Sequence, residues 1–394
     1  MELKVKSVLT VYEKFGYQKL GPFLYGFAEW LYDSFEKREP DKILFLARDG
    51  YMLQKVYETL YPQHQQICEY TYFSRNSIRR ALLWTAETYE ETIKYIMYTK
   101  YISFSELALY YGISKEEYQK CSEKYFDWDE DIRYDTLAKN LKMKRIYELF
   151  KEKINEQSYT QYTILVKYLK QLNLVGKKVA IVDVGWNGSI QNNLKRLIGI
   201  SGLKISLVGY YIGIAPPEEL KNEVCGYLYD NKNDARRKEL LCFFGVVEKF
   251  LQIQEGSTSG YILVDNIVMP VKEEYEYQEI PSITNFLEKI QNGALKYIAD
   301  NKNSVISKRR KYQYYAKPLL KFGKKPSLNE TKLFRNLYNI DGNKAYFLPQ
   351  KSIWKYTPKQ LLHDLSNSCW KTGFMKEVFK IPFPYYWVYR LLRR

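Results

Sequence analysis

Two aspartates in this chain stand where an apolar run gives way to a glycine turn. Asp49 closes the apolar stretch of Lys42-Ile-Leu-Phe-Leu-Ala-Arg-Asp-Gly-Tyr-Met-Leu53, and Asp183 closes that of Lys177-Lys-Val-Ala-Ile-Val-Asp-Val-Gly-Trp-Asn-Gly-Ser-Ile-Gln191. Carboxylates so placed can hold magnesium through oxygen or accept a proton from an attacking hydroxyl. A third apolar run, Tyr70-Thr-Tyr-Phe-Ser-Arg-Asn-Ser77, ends in hydroxyls and an arginine. Ser74 there, with Arg75, Arg79 and Arg80 that follow at once, suits a phosphate, because a guanidinium meets phosphate oxygens through paired hydrogen bonds, and Arg48 before the first aspartate is a further substrate-binding candidate. Behind Asp183, the turn Gly185-Trp-Asn-Gly-Ser-Ile-Gln191 offers backbone N–H groups at a helix start, a natural anion site. Asn187, Ser189 and Gln191 add hydrogen-bonding groups for a sugar, and Trp186 a ring to stack on one. Glu248, alone among apolar residues in Phe243-Phe-Gly-Val-Val-Glu-Lys-Phe-Leu251, and Ser257, in the following Gln254-Glu-Gly-Ser-Thr-Ser-Gly-Tyr261, complete the candidates. Plainer readings compete with these: an Asp-Gly turn, a capped helix start, basic residues on solvated surface, an acid on the wet face of a helix.

An open parallel sheet is the element that would bring such residues together. Its strands are near-continuous apolar runs because helices cover both faces, and its ligands collect beyond the strands' carboxyl ends. Residues 43–47, 69–74, the run ending at Asp183, and 205–213 read as such strands, with helices over about 51–61 and 158–173. Residues 1–40 read as a helix laid on the first strand, since Leu20, Phe23, Leu24, Phe27, Trp30 and Leu31 recur at three- and four-residue steps. This alternation predicts a Rossmann-like α/β fold. From Leu82 to about Gln157 the pattern is helical and tyrosine-rich, with an acidic knot, Asp127-Trp-Asp-Glu-Asp131, that reads as a solvated loop before it reads as a metal site.

Strand-end Asp, strand-end Ser and strand-end Asp, in that order, resemble the haloacid-dehalogenase-like (HAD-like) superfamily, in particular a group found among bacterial capsule and O-antigen assembly proteins. In that superfamily the first strand ends Asp-x-Asp-Gly-Thr, the second in Ser or Thr, and a later strand in an acid that helps hold magnesium. The resemblance spans roughly residues 40–265. It implies a general acid/base at Asp49, a phosphate-binding hydroxyl at Ser74, a late acid at Asp183, magnesium on Asp49 and Asp183, and a helical cap over the site at 82–157. The nucleophile position falls on Ala47, which closes the aspartyl-phosphate route of ordinary members. The similar polysaccharide proteins also show an acid followed by a Gly-Ser…Gly-Tyr segment, matched here by Glu248 and Ser257. Four regions follow: 1–81, N-terminal helices and the first half of the HAD-like core; 82–157, the cap insertion; 158–265, the second half of the core; and 266–394, a basic, mainly helical C-terminal region.

Composition narrows the chemistry. With 394 residues and 46% hydrophobic content, the chain can bury a large core. Its five cysteines lack any Cys-x-x-Cys pair, and His64 and His363 are its only histidines, which argues against a structural zinc site or a Ser-His-Asp triad. An odd number of dispersed thiols fits free cysteines. The opening residues lack the uncharged run of a signal peptide, and no apolar stretch reaches the ~18 residues of a spanning helix. The expected location is cytoplasmic, peripheral on the inner face of the membrane. Residues 301–394 hold 21 Lys and Arg against 4 acids, a net +17 in a chain whose total is +16. The clusters Lys308-Arg-Arg-Lys311 and Lys324-Lys325, and the ending Phe379-Lys-Ile-Pro-Phe-Pro-Tyr-Tyr-Trp-Val-Tyr-Arg-Leu-Leu-Arg-Arg394, mix cations with aromatics. That chemistry suits an anionic membrane surface, rings at headgroup level and cations on lipid phosphates. Docking of Phe383 to Leu392 on the core is the plainer reading, and nucleic acid is disfavoured because no recognisable module for it is present.

The expectation is a glycosyltransferase-type enzyme of bacterial surface-polysaccharide biosynthesis. It would move a sugar or sugar-phosphate from a phosphorylated donor to a glycan hydroxyl, and the polysaccharide context suggests ribofuranosyl 5-phosphate as one cargo. A HAD-like phosphatase in which water attacks, and a non-catalytic HAD-like module that binds glycan, are the rivals.

Overall fold

The computed structural model describes residues 9–96, 101–121, 125–303, 311–341 and 343–392. A parallel sheet organises them, built from β1 (Lys42–Leu46), β2 (Cys68–Thr71), β3 (Lys178–Trp186), β4 (Ser206–Ile214) and β5 (Val224–Gly226) in the order β2-β1-β3-β4-β5. This is the expected α/β architecture with a central parallel sheet. The run expected to extend to residue 74 stops at Thr71, because Ser74 already caps a helix. The principal helices are α1 (Gly21–Arg38), α2 (Gly50–Leu60), α3 (Arg75–Arg80), α4 (Leu141–Gln171), α5 (Ser189–Ser201), α6 (Phe244–Leu251), α7 (Pro281–Asn301), α8 (Lys371–Phe379) and α9 (Tyr385–Leu392). Two antiparallel hairpins, β6 (Thr258–Val264) with β7 (Ile267–Lys272) and β8 (Tyr338–Asp341) with β9 (Asn343–Tyr346), lie outside the sheet, as does a short antiparallel pairing of Tyr101–Ser103 with Asp131–Arg133 in the insertion.

Successive side chains of a strand leave on opposite faces, and here both faces are apolar. Ile43 and Phe45 of β1 join Ala180 and Val182 of β3 in one core, with α1, α2, α6 and α7. Leu44 and Leu46 join Val179 and Ile181 in the other, with α4 and α5. That two-sided burial is why these strands read as unbroken apolar runs.

The insertion does not sit where a cap was expected. Tyr89, Phe104, Tyr111 and Tyr147 share a cluster with Leu44, Leu46 and Ile181, so residues 82–157 thicken one face of the sheet. Helix α4 runs through the expected boundary at residue 157 without a break. The acidic knot is largely exposed, with the Asp127 N–H bonded to Glu130 Oε2 at 3.2 Å.

The C-terminal region shares the first core. Trp370 is fully buried, its ring 4.7 Å from Phe322 and 6.2 Å from Phe334, in the same cluster as Ile43 and Phe45. Tyr385 and Tyr389, one turn apart on α9, are buried there as well. Lys308, Arg309 and Arg310 of the Lys308–Lys311 cluster, and Arg393 and Arg394, lie outside the described residues. Among the described residues no helix is long and apolar enough to cross a membrane.

A shared core makes a cooperative prediction. Trp370→Ala is expected to cost about 3–5 kcal/mol, and to move the denaturant midpoint of the whole protein in one transition. A main transition left in place beside a smaller, shifted one would instead mean that the C-terminal region folds on a core of its own.

Candidate active site

Three strand-to-helix turns open on one rim of the sheet: β1 through Asp49 into α2, β2 through Ser74 into α3, and β3 through Gly188 into α5. Phe45 stands opposite Val182, so Asp183, although still inside β3, emerges where β1 ends. A cavity of about 360 Å³ occupies this rim, and Arg48, Asp49, Ser74, Arg75, Asp183, Trp186, Asn187, Ser189, Glu248 and Ser257 all line it. Gln191 does not. It is fully buried behind the site, its amide donating to the Glu223 carbonyl at 3.1 Å and accepting from the Tyr211 hydroxyl at 2.7 Å. Three residues into α5, it faces β4, so it ties the helix to the sheet and makes no sugar contact.

The acids carry the unusual electrostatics. Asp49 Oδ1 is buried without a hydrogen-bond partner. Burial holds the Asp49 carboxyl above its ordinary range, against a hydrogen bond with Gln252 and the charges of Arg48, Lys249 and Arg75. Burial and then the charge of Asp49 push Asp183 up to about 8. The same two causes push Glu248 up to about 7, although the Trp186 indole N–H donates to it at 2.5 Å. Like charges in a dry rim cannot all ionise, and beside Asp49 it is Asp183 and Glu248 that retain protons near neutrality.

Next to them lies a buried ion cluster. Glu276 bridges Arg48, at 2.6 Å, and Lys249. The two cations outweigh burial, and the Glu276 carboxyl is held down at about 2. Arg48 also donates to the Glu255 carbonyl at 3.0 Å. Its guanidinium is therefore a strut between the β1 turn and the chain around β6 and β7, and the expected substrate contact is displaced by this internal pairing.

Ser74 is similarly engaged. Its hydroxyl accepts the Ser77 N–H at 3.0 Å, capping α3, and donates to the Thr258 carbonyl at 2.5 Å. With its proton committed, it is not the phosphate donor that was expected. Trp186 occupies the left-handed region at φ 64°, a conformation costing about 1 kcal/mol or more for such a residue. Its ring packs edge-on against Phe244 at 5.3 Å and its N–H holds Glu248, so it positions an acid where a stacking platform was expected. Gly185, at φ 110°, is required just before it: a Cβ there would stand 2.4 Å from the Gly213 carbonyl oxygen.

The groups left for an anion are Arg75, exposed at the first position of α3, and the amino end of α5. Gly188 there is left-handed and gives no side-chain cap, and Gly188, Ser189 and Ile190 form part of the cavity wall. The wall also holds Lys249, Gln252, Glu273, Glu274, Glu276, Asn339 and Ile340, which sequence reasoning missed. Lys249 was visible as a second charge beside Glu248 in an apolar run; Asn339 and Ile340 come from β8 and carry no local signal. Among the described residues, none of 82–157 lines the cavity.

Six acidic and three basic side chains line it. Oxygen donors and an orphaned carboxylate oxygen fit magnesium, which binds through one or two carboxylates and completes its shell with substrate oxygens and water. Asp49 and Asp183 are the residues that would hold it. Among the described residues no group of three or more His, Cys, Asp or Glu forms a ready-made cage. No protein-family model matches the chain, and no curated protein matches it.

Raised carboxyl pKa values have a definite sign. The folded state holds protons that the unfolded chain has released, so stability falls as pH rises from about 4 through the folded value of Asp183, about 8. Asp183→Asn is expected to stabilise the metal-free protein by about 1–2 kcal/mol near pH 8.5 and by much less near pH 4.5, read from thermal unfolding at both. A difference independent of pH would contradict the assignment.

Proposed function

We propose that this chain is a HAD-like transferase of the glycosyltransferase type, acting in bacterial surface-polysaccharide biosynthesis on a phosphorylated sugar donor and a glycan hydroxyl. The observation that carries the reading is Asp49: a buried, unpartnered carboxylate oxygen in a cavity where Asp183 and Glu248 keep protons near neutrality. A carboxylate whose proton affinity is raised by burial is a stronger base toward a hydroxyl than one in water. Ala47 offers no carboxylate to take up a phosphoryl group, which favours direct attack over a covalent intermediate.

In this reading the donor's phosphate lies against Arg75 and the uncapped end of α5. The acceptor hydroxyl approaches Asp49, which takes its proton as the new C–O bond forms at the sugar carbon. The bond from that carbon to the phosphate oxygen breaks, and its electron pair leaves with the phosphate. Glu248, oriented by Trp186, supplies the proton that the leaving oxygen needs. Magnesium held by Asp49 and Asp183 would neutralise phosphate charge in a cavity that is otherwise acidic. A ribofuranosyl 5-phosphate cargo fits the polysaccharide context.

The C-terminal region supports a station on an anionic membrane, on its cytoplasmic side. Tyr385 and Tyr389 hold α9 to the core, while Trp387 (59% exposed) and Leu391 (40%) project from the opposite side of the same helix. Phe379, Ile381 and Phe383 are exposed just before it, with Lys380 and Arg390 exposed among them. Rings for the headgroup layer and cations for anionic lipid thus share one surface. Docking on the core and membrane binding are two sides of one helix.

Asp49→Asn is expected to lower transfer from a phosphorylated sugar donor by about 10²-fold or more while leaving the donor's thermal shift intact. Full activity in that variant would end the assignment, and phosphate release at an equal rate without acceptor would select the hydrolase. For the membrane surface, Trp387→Ser with Leu391→Ser is expected to weaken sedimentation with phosphatidylglycerol vesicles by about tenfold, at a loss of ~1.4 kcal/mol. Unchanged sedimentation would remove α9 from the interface.

A further inference from the structure

Trp354 is the most exposed of the large apolar side chains among the described residues, with 93% of its surface in water. Folding usually hides such a ring, because one aromatic side chain takes roughly 150–250 Å² out of water. Here a hydrogen-bonded turn holds it out. The Lys355 N–H donates to the Ser352 carbonyl at 2.9 Å, and the Tyr356 N–H to the Ile353 carbonyl at 3.1 Å. The helix Pro358–Asn367 follows at once, capped by the Thr357 hydroxyl, which accepts the Gln360 N–H at 3.2 Å. Before the turn, the Gln350 amide ties the chain to the Arg335 carbonyl at 3.0 Å.

The charges around this ring have one sign. Residues 343–363 hold four lysines and no acid. Lys344 is occupied over the Tyr338 ring, at 3.9 Å. Lys351, Lys355 and Lys359 are exposed and join no ion pair among the described residues. The next acid along the chain, Asp364, is half-buried and meets His363 at 3.1 Å. Leu362, on the helix, is 66% exposed. An indole that seats at headgroup level, lysines for lipid phosphate and a leucine for the acyl boundary are what an anionic bilayer surface takes up. A groove for single-stranded nucleic acid would instead set several exposed rings in file along the cations.

The position in the fold ties this patch to features already described. The helix Pro358–Asn367 packs against β9 and α8. Strand β9 pairs with β8, which brings Asn339 and Ile340 to the cavity wall. At the start of α8, the Lys371 ammonium donates to the Leu365 and Ser366 carbonyls at 2.8 and 2.6 Å. Beyond the other end of α8, nine residues and a rise of ~13 Å away, come the exposed Phe379, Ile381 and Phe383 that lead into α9.

We propose that the Trp354 turn, with Lys351, Lys355, Lys359 and Leu362, is a second contact with an anionic membrane, separate from the α9 surface. Two contacts fix an orientation where one leaves the protein free to swivel, and through β9 and β8 this one sets the cavity wall in relation to the lipid. The proposal stands on its own residues and needs neither the transferase reading nor α9.

The test is vesicle binding by the full chain, with phosphatidylglycerol vesicles as the probe and phosphatidylcholine vesicles as the neutral control. The proteins are wild type, Trp354→Ser, Trp354→Phe, the triple variant Lys351→Gln with Lys355→Gln and Lys359→Gln, and the α9 pair Trp387→Ser with Leu391→Ser; thermal unfolding checks that each folds. Trp354→Ser is expected to sediment with phosphatidylglycerol about tenfold more weakly, and the lysine triple to lose much of the salt dependence. Brominated phosphatidylglycerol is expected to quench a part of the wild-type fluorescence that Trp354→Phe lacks. Unchanged sedimentation of Trp354→Ser, or the same loss of fluorescence in wild type and Trp354→Phe, would overturn the contact. So would a Trp354-dependent affinity for an oligouridylate with vesicle binding unaltered. Weaker binding by Trp354→Ser together with unchanged binding by the α9 pair would uphold this contact and remove α9, and the converse result would remove this contact alone.

Discussion

Mutual repulsion among acids held in a dry rim is the constraint on which the rest of the structure depends. Asp49, Asp183 and Glu248 reach one cavity from β1, β3 and α6, and each of the latter two has its proton affinity raised first by burial and then by the charge of Asp49. In open water such a group would simply ionise. Here the sheet's two-sided burial brings the strand ends together, and low dielectric makes their repulsion count. The neighbouring Arg48–Glu276–Lys249 cluster relieves this only in part: its cations draw the proton affinity of Asp49 down, and Lys249 that of Glu248, but both are shared with Glu276. What remains is a site that needs protons, a metal cation or a ligand's own groups to reach balance.

Much of this was legible in the residues, for a physical reason. A strand buried on both faces must be apolar throughout, so the appearance of a charge marks its end, and the ends of neighbouring parallel strands must be adjacent. That logic placed Asp49 and Asp183 together across more than a hundred residues of intervening chain. It placed Ser74 correctly as well, yet assigned it the wrong task, because a hydroxyl at a helix start is claimed first by the helix and here also by the Thr258 carbonyl. Arg48 and Trp186 follow the same pattern: each is at the rim, and each is engaged by a neighbouring acid.

The failures are of a different kind. Glu276, Lys249, Asn339 and Ile340 enter the cavity from parts of the chain that follow the sheet, and tertiary packing alone brings them there. Gln191 shows the limit of reading a turn as a row of ligand groups, because helical periodicity sends every third or fourth side chain inward. The insertion at 82–157 was assigned a covering role from its position in the order of elements; its apolar residues instead continue the face made by Leu44 and Leu46. Apolar continuity decided where it packs. The basic region, expected either to dock or to meet a membrane, does the first with Tyr385 and Tyr389 and leaves a second face of α9 exposed.

The most direct measurement of the central claim is a carboxyl titration by carbon-13 NMR with selectively labelled aspartate and glutamate, run on the metal-free wild type and on Asp49→Asn. The account predicts resonances of Asp183 and Glu248 that titrate near neutrality, about 8 and about 7, and that both move toward the ordinary carboxylate range when the charge at position 49 is removed. Midpoints near 4 in the wild type, or midpoints indifferent to the substitution, would mean that these acids do not share a rim and that the chemistry assigned to it has no basis.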